Sequence, residues 1–373
     1  MEVVTEILKY TAFYNMGYKY KIAILQTHHL GDIILATPAI KLLMENFPEA
    51  KITLITGSWN KDYIEDFPFL NKIIYFDNPF NDRRKYNIFH KIKTIFSFLR
   101  EIRKERYDLI VELSGYFFSQ YYLPFLKADY KIGQVNDPIN AITFSSFIFD
   151  KKVISGRRKN EVQRDIDVIR KLKFKIRKAP PLWYPATSED EDEITYLLKQ
   201  NKIKGFVVIH AITPWKLRAW PKDKFAEVAD WIIGNRNLDV IFIGSEDEKK
   251  KINEIIKLMR TKKRQKAHNF AGLVTIKQLA ALLKKAKLFL GNDSGIAHLT
   301  ATTDTPAIVL FGPGDEKRWG HKKHIIIRKN IDCYPCRQNL NRGRCVKGYK
   351  ICKALQEISV ERVIGRIKDI FKL

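Results

Sequence analysis

Residues 288–314 read LFLGNDSGIAHLTATTDTPAIVLFGPG, and this stretch decides the fold. Residues 288–290 form a short apolar run that reads as a buried strand. It stops at Gly291-Asn292-Asp293-Ser294-Gly295, a tight polar turn, after which a helix can begin over 296–302. A second apolar run, 307–311, follows Pro306. Strand, turn, helix and strand make a βαβ unit. Its turn presents backbone N–H groups at a helix N-terminus, a geometry that binds phosphate without a metal. Asp293 can accept hydrogen bonds from a ribose there; equally, Asp293 or Ser294 can simply cap the helix.

The same alternation extends in both directions. Upstream, strands are expected over 21–26, 51–56, 72–76, 108–113 and 130–135, with helices over 33–47 and 161–172. Pro38 is compatible with the first of these helices if it lies early in it. Pro180, Pro181 and Pro185 then interrupt the pattern. After them the alternation resumes, with helices over 189–200, 222–233, 246–259 and 275–285 and strands over 206–210, 239–244 and 324–328. A final helix is expected over 360–371. The fold class is therefore α/β, two Rossmann-like doubly wound domains facing a cleft. We expect residues 1–180 to form the first domain, with 1–20 as an extra arm, and 181–373 the second. Regions 116–125 (aromatic-rich) and 141–150 give no clear element.

A chain of 373 residues suits two domains, and 45% hydrophobic with 12% aromatic residues marks it as globular. Two glutamates and one lysine precede Tyr10, which is not a secretory leader. No apolar run reaches the roughly 18–20 residues that span a bilayer. The expected location is cytoplasmic, peripheral to the inner membrane.

Sixty-seven Lys and Arg against 41 Asp and Glu give a formal charge of +26. That excess suits nucleic acid, an anionic membrane surface or a phosphorylated substrate. It is densest from Arg83 to Arg106, a stretch that includes Arg84, Lys85, Lys91, Lys93 and Arg100. There a helix would turn Ile92, Ile95, Phe96 and Leu99 to an apolar face. No helix-turn-helix, zinc-finger or RNP pattern accompanies it, which argues against nucleic acid. All four cysteines, Cys333, Cys336, Cys345 and Cys352, fall in one segment. They read as reduced structural thiols or as the ligands of a structural zinc.

Three polar groups sit where strands end. Gly31-Asp32 places a carboxylate that can act as a general base or cap a helix. The loop from His210 to Pro221 contains the hydroxyl of Thr213 and two cations, Lys216 and Arg218, able to neutralise a diphosphate leaving group. Gly244-Ser245-Glu246-Asp247-Glu248 offers carboxylates to ribose hydroxyls. No Walker A lysine, GxSxG elbow, HExxH helix or GxGxxG turn occurs at these places. The pattern is consistent with group transfer from a nucleotide-diphosphate donor.

The blocks LGDIILATPAIKLL, HAITPWKLRAWP, GSEDE, AGLVTIKQLAALLKKAKLFLGNDSGIAHL and TPAIVLFGPGDEKRWG occur in this order from about residue 21 onward. Together they resemble the heptosyltransferases of lipopolysaccharide core assembly, in family 9 of the glycosyltransferases. The resemblance implies a GT-B architecture with acceptor bound by the first domain and donor by the second, the last helix commonly packing back on the first. It implies inverting, metal-independent transfer of heptose from ADP-heptose to a lipopolysaccharide core acceptor of the Kdo-lipid A type, with no cofactor required. Asp32 matches the family's proposed base. Arg218 falls at a lysine position that contacts the diphosphate, and Glu248 matches an acid near the ribose. Asp293, Ser294, Gly295 and Ile296 match the donor-binding turn, and His298 the histidine one helical turn on. Thr213 is followed by Pro214, so the family's loop hydroxyl is shifted; Lys216 is an added cation. Two other readings stay open: a different nucleotide-sugar donor, and a non-enzymatic basic binder of nucleic acid or membrane.

Overall fold

The computed structural model describes residues 20–77, 87–115, 120–135, 147–156, 158–174, 176–334, 336, 345 and 347–372. Residues 1–19 of the expected arm, Arg83, Arg84 and Lys85 of the basic stretch, and positions 116–119 of the aromatic segment lie outside them. The chain divides into two compact units, Met1–Trp183 and Tyr184–Leu373, the division falling among the prolines.

The first unit contains β1 (Lys21–Leu25), α1 (Leu30–Asn46), β2 (Lys51–Thr56), β3 (Lys72–Tyr75), α2 (Ile88–Ile102), β4 (Arg106–Glu112), β5 (Lys127–Val135), β6 (Lys151–Ile154) and α3 (Glu161–Arg170). Its strands pair in parallel in the order β3-β2-β1-β4-β5-β6. The second unit contains α4 (Ser188–Gln200), β7 (Phe206–His210), α5 (Lys222–Arg236), β8 (Asp239–Phe242), α6 (Lys249–Leu258), β9 (Ala267–Asn269), α7 (Ile276–Lys285), β10 (Leu288–Asn292), α8 (Gly295–Thr300), β11 (Ala307–Phe311), β12 (Ile325–Arg328) and α9 (Val360–Phe371). Its parallel order is β12-β11-β10-β7-β8-β9. Counted from its own first strand, each sheet runs 3-2-1-4-5-6, the doubly wound order. The central strands β7, β10 and β11 are buried along their whole length, as parallel strands covered on both faces must be. Val363 and Ile367 of α9 join Trp220, Phe225 and Leu310 in the core of the second unit. Among the described residues no helix is long and apolar enough to cross a membrane.

Several local expectations are corrected. Helix α1 begins at Leu30 rather than 33, so Pro38 lies more than two turns inside it. The proline removes the N–H that would bond the Ile34 carbonyl, and Thr37 Oγ1 donates to that carbonyl at 2.7 Å instead. Helix α2 does not bury Ile92 and Phe96. Phe98 and Ile102 enter the core, while Phe89, Ile92 and Phe96 are 79%, 45% and 70% exposed. The helix expected over 246–259 is a 3-10 turn, Glu246–Glu248, followed by α6. Strands β6 and β9, each at a sheet edge, were not expected.

Candidate active site

In an open parallel sheet the crevice lies where the strand order reverses, beyond the carboxyl ends of the strands. That point is between β7 and β10 in the second unit and between β1 and β4 in the first. Asp293 to Ile296 follow β10 and Thr213 to Arg218 follow β7 in the second unit, and Asp32 follows β1 in the first, whereas Glu248 follows β8.

In the second unit, β10 ends in Asn292, whose fully buried amide ties two neighbouring segments together. Its Oδ1 accepts the Trp220 backbone N–H at 3.0 Å, and its Nδ2 donates to the Ala211 carbonyl at 3.0 Å. Next comes Asp293, 4% exposed, with Oδ2 3.5 Å from Arg218 Nη1. Arg218 also lies over the Trp215 ring, its guanidinium carbon 5.3 Å from the centroid. Asp293 Oδ2 and Arg218 Nε are both buried without a hydrogen-bond partner among the described residues. A buried polar atom in that state costs about 1–3 kcal/mol, which a bound hydroxyl or phosphate oxygen would relieve. Gly314 makes room for this carboxylate, because a Cβ there would stand 2.2 Å from Asp293 Oδ2.

Neither of the capping roles open for the turn is present. Ser294 is the N-cap residue of α8, yet its side chain makes no cap hydrogen bond. Its Oγ is instead 3.2 Å from His210 Nδ1 at the end of β7. Burial pushes the His210 pKa down to about 4, so the ring is neutral at pH 7 and the clasp is uncharged. Of the first-turn N–H groups, that of Ala297 donates to the Ser294 carbonyl at 3.1 Å, while those of Gly295 and Ile296 receive no acceptor from these side chains.

His298, on α8, is buried and its Nδ1 is 2.8 Å from His321 Nε2. His324 follows, its ring 4.9 Å from that of His321. Burial first, and then the neighbouring histidines and Lys323, push His321 to about 2; burial and then Lys323 and His298 push His324 to about 3. Glu248 Oε2 accepts the Ser245 N–H at 3.0 Å in a capping box. Thr213 Oγ1 accepts the Trp215 N–H at 3.4 Å, and Lys216 is exposed. Asp293 of the turn and Arg218 are thus brought together, whereas Glu248 and Thr213 spend side-chain oxygens on their own turns.

In the first unit, Asp32 sits inside the opening turn of α1, not at its cap, which is His29. Its Oδ1 is 3.7 Å from His28 Nδ1. Around it are buried ionisable groups that single-position reading missed: Glu112 at the end of β4, and Glu161, Arg164 and Asp165 on α3. Glu112 accepts the Gly115 N–H with both oxygens, at 3.0 and 3.1 Å. Arg164 bonds Glu161 at 3.0 Å, and Gln134 Nε2 donates to Asp165 Oδ1 at 3.1 Å. Burial, followed by the charge of Glu161, raises the Asp165 pKa well above the usual carboxylate range. Asp165 is 133 positions from Asp32, so no local motif could have announced the association.

The four cysteines are thiols and line one pocket with Tyr334 and Tyr349. Burial raises the Cys352 pKa, and Cys336 and Cys333 add to the rise. Among the described residues, however, no group of three or more His, Cys, Asp or Glu side chains is disposed to hold a metal ion.

Residues 95–347 match the model of glycosyltransferase family 9 (heptosyltransferase). The chain is 26% identical over 350 residues to lipopolysaccharide heptosyltransferase 3 of Escherichia coli strain K12, covering 91% of this chain and 95% of that one. Its fold is similar to that of the family 9 glycosyl transferase from Veillonella parvula, with TM-score 0.77, 20% identity and coverage of 95% and 97%. It is also similar to the E. coli ADP-heptose lipopolysaccharide heptosyltransferase II, with TM-score 0.73, 18% identity and coverage of 94% and 98%.

Proposed function

Because the chain belongs to glycosyltransferase family 9, we propose that it transfers heptose from ADP-heptose to a lipopolysaccharide inner-core acceptor. The acceptor oxygen attacks the anomeric carbon, the bond to the ADP oxygen breaks on the opposite face, and the acceptor proton passes to Asp32. Configuration is inverted. Asp293 accepts a donor hydroxyl, and Arg218 takes the diphosphate, whose departing negative charge it offsets together with Lys216. These side chains supply the cationic charge that the leaving group requires, so no catalytic metal enters the mechanism. Ser294, Gly295 and Ile296 present the turn to the diphosphate, and His298 shapes its far side. Glu248 and Thr213 act from the loops beside it.

The observation that carries this reading is the buried Asp293–Arg218 ion pair at the switch point of the second unit, in which Asp293 Oδ2 and Arg218 Nε make no hydrogen bond among the described residues. Its experiment supplies ADP-heptose and an inner-core acceptor to the purified protein and determines the anomeric configuration of the product by NMR. Inversion is expected; retention, or release of nucleotide from UDP-sugars in place of ADP-heptose, contradicts the proposal.

The lipid acceptor places the protein at the cytoplasmic face of the inner membrane. Helix α2 supports this, since Phe89, Ile92 and Phe96 form an exposed stripe bordered by the exposed Lys93 and Arg100. Binding to vesicles containing anionic lipid should fall in Phe96→Ser and with rising salt; equal binding to neutral vesicles removes the electrostatic part. The cysteine pocket has the donor type of a structural zinc, but among the described residues its thiols are not disposed around one metal position, and no step runs through it. Metal analysis of protein purified under reducing conditions is its check, a zinc content near zero removing it.

A further inference from the structure

The loop between β1 and α1 carries His28, and its backbone is held by two side chains from one neighbouring segment. The His28 carbonyl accepts the Trp59 indole Nε1 at 3.1 Å and the Asn60 Nδ2 at 2.7 Å. Asn60 is fully buried, and the same amide donates to Thr56 Oγ1 at 3.0 Å. With the carbonyl fixed, the imidazole faces the first turn of α1, where its Nδ1 is 3.7 Å from Asp32 Oδ1.

The surroundings of the ring are acidic from each element packed around it. Asp32 comes from α1, Glu112 from the end of β4 and Glu161 from α3. The Glu161 charge is shared with Arg164 at 3.0 Å, and the neighbouring Asp165 holds its proton to unusually high pH. Burial pulls the His28 pKa down, but Asp32, 3.7 Å away, with the charges of Glu161 and Glu112 behind it, raises it overall. A cation is therefore favoured beside the proposed base.

We propose that His28 is the positioning partner of Asp32, its protonated imidazole holding Oδ1 so that Oδ2 is presented to the acceptor hydroxyl. This rests on Asp32 being the base. The proton of the acceptor goes to Asp32 Oδ2, while His28 keeps its own proton throughout and no further bond is made or broken. An adjacent cation also keeps the carboxylate ionised to lower pH.

The test combines kinetics with a titration that needs no turnover. In His28→Ala, kcat should fall about tenfold to a hundredfold, the scale for a misplaced catalytic group, with the KM for ADP-heptose unchanged. The acid limb of its pH–rate profile should move upward by about one unit. His28→Asn, which restores a neutral donor near the Nδ1 position, should recover kcat but leave the acid limb displaced. Independently, NMR of isotope-labelled histidine in the wild type should show the His28 resonance, assigned by its loss in His28→Ala, titrating above 6.5. Asp32→Asn should lower that midpoint. An unmoved acid limb together with an unmoved His28 midpoint in Asp32→Asn overturns the proposal. So does a His28→Ala variant as inactive as Asp32→Asn, which would make His28 the base. If Asp32→Asn keeps full activity, the reading of Asp32 itself fails instead.

Discussion

The two units repeat one strand order and differ in what they place at its reversal. In the second unit the switch point holds one acid–cation pair among otherwise uncharged groups, with the exposed Lys216 on the loop beside it: Asn292 is hydrogen-bonded through both its oxygen and its nitrogen, His210 is uncharged, and Arg218 faces Asp293. In the first unit the corresponding crevice collects Asp32, Glu112, Glu161 and Asp165 with His28 and Arg164. The first pattern leaves two buried atoms without a hydrogen bond, Asp293 Oδ2 and Arg218 Nε. The second is a set of coupled proton-binding groups. On the proposed function, one fold binds a charged leaving group on one copy and manages a proton on the other, because loops at the strand ends carry function while both sheets keep one form.

The sharpest way to break this contrast is on the receptor side. Arg218→Ala removes a charge-assisted contact of about 1.5–3 kcal/mol, so the KM for ADP-heptose should rise roughly tenfold to a hundredfold while the acid limb of the pH–rate profile stays in place. A shifted limb would mean that the second unit also takes part in the proton chemistry. Gly314→Ala should act in the same direction but less, by up to about tenfold, since its Cβ would push Asp293 away from Arg218. An unchanged KM in Gly314→Ala would mean that Asp293 has no fixed position to lose.

A smaller effect separates the units by pH. His210, His321 and His324 have folded pKa values of about 4, 2 and 3, all below the unfolded value of about 6.5. Below pH 6.5 the unfolded chain binds protons that the folded second unit refuses, so stability present above that pH is lost as the pH falls. The first unit has the opposite sign. His28 and Asp165 are raised, so their contributions are present at low pH and are lost as pH rises through their folded values. Between pH 7 and 5, hydrogen-exchange protection should therefore decline in peptides of the second unit relative to those of the first. A parallel decline in both would contradict these assignments.

The reach of the sequence follows the same division. Parallel strands buried on both faces, such as Phe206–His210 and Ala307–Phe311, announce themselves as apolar runs, and Asp293-Ser294-Gly295 ends a third, Leu288–Asn292. Strands β6 and β9 were missed because Lys151-Lys152-Val153-Ile154 and Ala267-His268-Asn269 are short edge strands with little to bury. Helix α2 was misread in phase: two apolar stripes share one helix, and periodicity cannot say which enters the core. Residues adjacent in one turn, Asp293 to Ile296, are legible together because the sequence itself makes them neighbours. The acidic set around His28 was not, because its members come from α1, β4 and α3 and meet only after folding.

The central claim is that the acceptor proton is taken by Asp32 while the donor is held elsewhere in the chain. Its most direct measurement compares wild type and Asp32→Asn in heptose transfer from ADP-heptose to an inner-core acceptor, alongside the affinity of each for ADP. Asp32→Asn should lose about 10²- to 10⁴-fold in kcat, the range of a general base, with ADP affinity unchanged. Transfer at the wild-type rate by Asp32→Asn, or loss of ADP binding in step with loss of transfer, would contradict it.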